Sequence, residues 1–150
     1  MIIREAEEKD VADLKELYFT FLTQYPPKEE QNMEEWKNVV RYFSSSDRFF
    51  LLVVEDEENH KVVSSVQVAI IPCLTHNVRC FAVVENVVTH GDYRNKGYAS
   101  ALLQKATEIA KEFNCYKIFL ETGSNKESTL NFYKANGFEL DTKHSCLRKL

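Results

Sequence analysis

The sequence is poor in the features that mark specialised chains. It has only four glycines and three prolines in 150 residues, too few for a low-complexity or collagen-like protein. Cys73, Cys80, Cys115 and Cys146 are scattered and form no CxxC pair, which suits reduced thiols better than a disulfide framework or a zinc site. His60, His76, His90 and His144 are equally dispersed, so no metal is expected. No apolar run approaches the roughly 20 residues that a membrane span needs. The opening MIIREAEEKD carries acids where a signal peptide would be basic and then apolar, so a cytoplasmic location is expected. A net charge of −4 without a basic stripe argues against a nucleic-acid partner. The acidic clusters Glu29-Glu30, Glu34-Glu35 and Glu55–Glu58 read as solvated faces. Neither GxGxxG nor GxxxxGK[ST] occurs, which removes the Rossmann and P-loop signatures.

What is present suits one domain over residues 1–150, with 44% hydrophobic and 28% charged residues. Ile2–Glu5 reads as a short strand. Asp10 is expected to cap a helix whose apolar side carries Val11, Leu14, Leu17, Tyr18, Phe21 and Leu22. Pro26-Pro27 breaks the chain, and Met33 to Phe43 gives a second helix with Trp36, Val39, Val40 and Phe43 on one side. Ser44–Asp47 is a turn. Phe49–Glu55 is a continuous apolar run suited to a central strand, and Lys61–Ile71 returns antiparallel to it.

Arg79–Thr89 is a β-branched strand, followed by a loop and a helix to about Phe113 with one apolar stripe. Lys117–Glu121 follows that helix as a crossover strand, parallel to the one before. Ser124–Asn136 is a last helix closed by Gly137, and Phe138–Asp141 with Cys146–Lys149 would form a closing hairpin. The order predicts an α/β protein of layered, mixed-sheet type, not a doubly wound one.

The stretch YRNKGYASALL, Tyr93 to Leu103, carries the first chemical signal. A glycine in a first helical turn costs about 1 kcal/mol relative to alanine. The free N–H groups of that turn and the positive end of the helix dipole favour an anion. Gly97 and Ala99 would let a phosphate lie against the backbone, with Arg94 and Lys96 adding charge. A tight strand-to-helix turn that needs glycine only for its φ angle fits the loop equally well.

ENVVTHGDYRNKGYASALL followed by CYKIFLETGSNKESTLNFYKANGFEL resembles the GNAT superfamily of acyl-CoA N-acyltransferases, over roughly Phe81 to Leu140. The family's loop pattern (Q/R)-x-x-G-x-(G/A) falls on Arg94, Gly97 and Ala99, and FYxxxGF falls on Phe132-Tyr133 to Gly137-Phe138. The resemblance implies a mostly antiparallel central sheet with a splayed parallel strand pair and helices on both faces. It implies that the amides of Asn95, Lys96, Gly97, Tyr98, Ala99 and Ser100 hold the pyrophosphate of acetyl-CoA, the acyl donor. Val87 and Val88 would offer main-chain groups to the pantetheine arm. Asn125 would touch that arm too, although family spacing before the tyrosine falls on Lys126.

By the same resemblance Tyr133 protonates the departing thiolate, and a phenol with an ordinary pKa near 10 is a competent acid at neutral pH. From the residues alone, Tyr133 reads as well as an amphipathic core residue beside Phe132. Glu85 is the single acid in AVVENVV and would share a face with Val83 and Val87. It would serve as general base or ammonium anchor, or else be a sheet-face carboxylate paired with a nearby cation. Cys115 has nothing nearby in sequence to activate it and reads as a structural thiol.

The acceptor is expected to be a primary amine of a small molecule. ENVV and CYKI look like the matching segments of glucosamine-phosphate N-acetyltransferases, which hints at an amino sugar. Tyr18, Tyr25, Trp36 and Tyr42 either wall an acceptor pocket or pack the core. A peptide N-acetyltransferase and a non-catalytic acyl-CoA sensor are the competing classes. Homodimerisation, which the closing hairpin would support, is left open.

Overall fold

The computed structural model describes all 150 residues, Met1–Leu150. Its sheet contains β1 (Ile2–Glu5), β2 (Phe49–Glu55), β3 (Val62–Ile71), β4 (Phe81–Thr89) and β5 (Ile118–Leu120), side by side in chain order. The first four pair antiparallel, and β5 lies parallel to β4. The continuous apolar run of β2 sends Leu51 and Val53 to one face and Leu52 and Val54 to the other, where each pair joins a separate core. A strand buried on both faces needs that composition.

One face is covered by α1 (Val11–Leu17) and α2 (Met33–Ser45), which bring Leu14, Leu17 and Val40 against Leu51, Val53 and Val88. The other is covered by α4 (Tyr98–Glu112), whose Leu102, Leu103, Ala106 and Ile109 meet Val68, Ile70, Ala82 and Val84. The last helix, α5 (Glu127–Ala135), adds Tyr133 to that second core. No helix is long and apolar enough to cross a membrane.

Several local expectations are corrected. Asp10 holds the N-cap position of α1 as expected, but it does so inside a 3₁₀ turn, Glu8–Asp10, with helical dihedrals and no capping bond between its side chain and that helix. Its carboxylate accepts the Glu7 N–H at 2.7 Å and two bonds from the Arg4 guanidinium, at 2.7 and 2.9 Å. Arg4 also donates to Glu55 at 2.8 Å, so the ion network ties β1 to β2 and to the start of α1. Beyond Leu17 the helix widens into a π turn, Tyr18–Leu22, a feature often found at functional sites. Helix α2 runs to Ser45, and the turn after it is closed by Ser46, whose hydroxyl accepts from Arg48 and Phe49.

Between β3 and β4 the short turn α3 (Thr75–Val78) is wound left-handed at His76, Asn77 and Val78. Helix α5 begins three residues later than Ser124, and Gly137 at φ +84 ends its chain direction. The closing hairpin does not form. Phe138 and Leu140 pack on the second core, but the following DTKHSCLRKL is polar and exposed, with no second apolar face to hold a strand. The support that hairpin would have lent to a homodimer goes with it.

Candidate active site

The site begins with an irregularity in β4. Gln67 pairs with Glu85 and Ser65 with Val88, two steps on β3 against three on β4. Asn86 takes up the surplus residue at φ 54, and its side-chain amide donates to Gln67 Oε1 at 2.8 Å. Such a bulge reverses the facing of everything after it. Val84 and Val87 therefore both meet the α4 core, while Val88 is buried in the α1/α2 core. Glu85 shares a face with Val83 but not with Val87, against the simple alternation expected from the sequence. Its side chain is exposed.

Next to the bulge, β4 loses its neighbour. The parallel pairing covers Ala82 to Val84 against Ile118 to Leu120, and the chain then leaves the sheet through Glu121–Lys126. Glu85–Thr89 consequently has a strand on one side and a gap on the other. This is the splay that the family resemblance implies. Val87 is half-buried along the gap and Val88 is buried behind it. Asn125 is exposed in the segment on the opposite bank, directly before α5, where the N-cap position belongs to Lys126.

Tyr133 approaches the gap from the α4/α5 side. Its ring is 7% exposed and packs edge-on against Phe132 and Phe138. The hydroxyl has no hydrogen-bond partner in the protein, yet no buried polar side-chain atom is left unsatisfied, so the oxygen keeps contact with solvent. Burial pushes the phenol above its ordinary value, and the negative charge of Glu85 pushes it further. The two residues singled out for proton transfer thus sit within electrostatic reach of each other, one from each face of the sheet. No cation pairs with Glu85 among the ion pairs of the protein.

The loop at the far end of β4 supplies amides. After a 3₁₀ turn, Gly91–Tyr93, Asn95 and Gly97 take φ +61 and +81, and α4 starts at Tyr98. None of the N–H groups from Asn95 to Ser100 donates to a protein acceptor; the first that does is Ala101, to Gly97 O at 2.9 Å. These amides can take an anion. A Cβ at Gly97 would point into open space, so its left-handed backbone, not internal crowding, is what requires glycine. The turn explanation weighed from the sequence is therefore correct, and it coexists with a backbone bare enough for a phosphate.

The basic residues of the loop are folded back on aromatic rings. Arg94 lies over Phe21, 5.9 Å from the ring centre, and Lys96 over Tyr93 at 4.6 Å. Tyr98 stacks near Tyr93 at 6.3 Å. Phe21, from the π turn, also lies against Gly91, where a Cβ would come within 3.1 Å of the ring. Cys115 is held away from reactivity, since burial raises its thiol pKa. Sequence reasoning missed Gln67, Asn86 and the contact role of Phe21. The Glu-Asn pair within a β-branched strand was the available sign, because asparagine tolerates the left-handed dihedrals that a bulge uses.

Residues 10–138 match the model of the acetyltransferase (GNAT) family. A glucosamine 6-phosphate N-acetyltransferase of Trypanosoma brucei brucei is 28% identical over 136 residues, covering 91% of this chain and 87% of that protein. Among solved structures, a chain from Agrobacterium tumefaciens str. C58, provisionally assigned as an acetyltransferase, superposes with a TM-score of 0.88 at 30% identity over 99% of this chain and 100% of that one. A Trypanosoma brucei acetyltransferase gives 0.82 at 27% identity, over 99% of both chains. With the splayed strands, the bare amide loop and a match across most of its length, this chain belongs to the GNAT family of acetyltransferases.

Proposed function

We propose that residues 1–150 work as one cytoplasmic catalytic unit that moves an acetyl group from acetyl-CoA directly to the primary amine of a small molecule. The observation that carries this reading is the gap beside β4, which Glu85 and Tyr133 flank from opposite faces next to six unpaired amides. The amides of Asn95 to Ser100 hold the donor's pyrophosphate, with Arg94 and Lys96 released from their aromatic rests to add charge. Main-chain groups of Val87 and Val88 line the path of the pantetheine arm, with Asn125 on the other bank.

The amine nitrogen attacks the thioester carbonyl; a C–N bond forms, the C–S bond breaks, and the products are an amide and free CoA thiol. Glu85 anchors the ammonium and takes up its first proton, and the second proton, which the nitrogen sheds as the amide forms, returns to the Tyr133 phenolate left after the sulfur is protonated. Tyr133 gives its proton to the departing sulfur, and its raised pKa keeps it protonated for that purpose. No acyl-enzyme is needed, since the raised pKa of Cys115 suits it poorly as a nucleophile.

Two relatives, of Trypanosoma brucei brucei and Dictyostelium discoideum, are glucosamine 6-phosphate N-acetyltransferases, which makes amino sugars a first class of acceptor to assay. The test is release of CoA thiol from acetyl-CoA across a panel of amines. Intersecting double-reciprocal lines are expected from a ternary complex; parallel lines would point to an acyl-enzyme and overturn direct transfer.

A further inference from the structure

The α1/α2 face holds a cavity of about 320 Å³ that the proton-transfer pair does not itself occupy. That is the small end of the range, about 300–1,000 Å³, typical of ligand sites. Its walls include Tyr18, Trp36, the buried Val40 and Leu51, Gln67 and the exposed Glu35. The walls are braced. Phe19 meets Trp36 edge-on at 5.6 Å, and the Tyr18 hydroxyl shares a hydrogen bond with Ser65 at 3.3 Å.

The strand register places this cavity beside the reaction centre. Gln67 and Glu85 are paired residues on neighbouring antiparallel strands, so their side chains leave the same face of the sheet, with Cβ atoms about 5 Å apart. Gln67 is further fixed by the bond from Asn86, the bulge residue next to Glu85. A molecule whose body rests over Gln67 between Tyr18 and Trp36 therefore presents an attached amine to Glu85.

The charge of the lining is one-sided. It contains no Lys, Arg or His, and its acid Glu35 has no cationic partner, because the nearby Lys37 and Arg41 pair with Glu34. A phosphate placed here would lose its water against Trp36, Val40 and Leu51 while facing carboxylates, with no base to offset either cost. An ammonium on a hydrocarbon body meets the opposite situation: apolar walls for the body, ring faces and carboxylates for the charge.

We infer that this cavity is the subsite for the acceptor's body, and that it selects primary amines on apolar, unphosphorylated bodies, such as arylalkylamines and alkylamines, over amino-sugar phosphates. The inference rests on the acetyl-transfer reading for its chemistry, but the occupancy of the cavity can be read without turnover. Trp36 is the single tryptophan of the chain, so its fluorescence reports on this wall alone.

The full chain would be titrated with 2-phenylethylamine, hexylamine, glucosamine and glucosamine 6-phosphate, following Trp36 emission, and each amine would then be assayed with acetyl-CoA for thiol release. A saturable emission change with the two apolar amines is expected, with kcat/KM at least tenfold above that for glucosamine 6-phosphate. The variant Val39→Arg puts a base at the exposed edge of the cavity and should weaken phenylethylamine binding at least fivefold while improving the sugar phosphate. Val39 is 53% exposed, which spares the fold. No emission change with the apolar amines, or a preference for glucosamine 6-phosphate, overturns the inference and leaves acetyl transfer standing. Saturable emission changes without thiol release from any amine would uphold the cavity's selectivity and overturn the acetyl-transfer reading instead.

Discussion

The two halves of β4 belong to one strand and have opposite fates. In Phe81–Val84 the residues Ala82–Val84 are paired on both sides, to β3 and to β5, and Ala82 and Val84 are almost fully buried. Glu85–Thr89 is paired on one side only and carries a bulge, a left-handed asparagine and an exposed carboxylate. The closed half contributes to stability through burial. The open half gives up a row of neighbours and leaves main-chain groups and an exposed carboxylate free, as the proposed site requires. A sheet that continued its parallel pairing past Val84 would be better satisfied and would have no gap for two reactants to meet in.

The comparison is broken hardest at the open half. Tyr133→Phe removes the proposed acid and should lower kcat by about 10²–10⁴-fold, while calorimetry finds acetyl-CoA affinity within a few-fold of the parent. Because burial and Glu85 raise the phenol above its ordinary 10.0, the parent should show no alkaline loss of rate from this group below that pH. An alkaline limb centred near 8 would assign the acid role elsewhere.

Gly97→Val comes next. The residue sits at φ +81, where a β-branched side chain is strained by about 1–2 kcal/mol, and its side chain would occupy the open space over the amides. Acetyl-CoA affinity should fall about 100-fold, or roughly 2.7 kcal/mol; unchanged affinity would mean that the donor's pyrophosphate lies somewhere else.

The closed half should answer differently. Val84→Ala deletes buried methyl groups and should cost about 2 kcal/mol in chemical denaturation, with donor affinity preserved in the folded protein. If affinity fell along with stability, the halves would not be the separable units described above.

The smallest effect lies at the far edge of the sheet. Hydrogen bonding with His60, and then with Arg4, holds Glu55 below its ordinary carboxylate value of 4.5. A depressed folded pKa means that its stabilising contribution is present above 4.5 and is lost as the pH falls through the lower folded value. Melting temperature followed from pH 6 downward should therefore drop in this acid window, and Glu55→Gln should flatten the drop.

Much of this was legible in the residues, and the reasons differ from segment to segment. Phe49–Glu55 could be read to the residue because a continuous apolar run has one stable home, the middle of a sheet. The loop at Gly97 was legible because few residues other than glycine accept its dihedrals, and the FYxxxGF spacing marked Tyr133. The facing of Val87 relative to Glu85 was misread because alternation assumes an uninterrupted ladder, and the bulge at Asn86 depends on what β3 places opposite. The closing hairpin failed for a similar reason: Phe138 and Leu140 had a core to join, and the tail after them had none.

By itself, then, the sequence determined most of the strands and helices and the left-handed turn at Gly97, because these follow from apolar spacing and local dihedral preference, while its loop and FYxxxGF motifs carried the family resemblance. Only the tertiary structure decided that Glu85 and Tyr133, on opposite faces of the sheet, come within electrostatic reach of each other, and that Gln67 lines an apolar cavity next to Glu85. Those relations join residues far apart in the chain, and they are set by strand register and by the point at which β5 stops pairing.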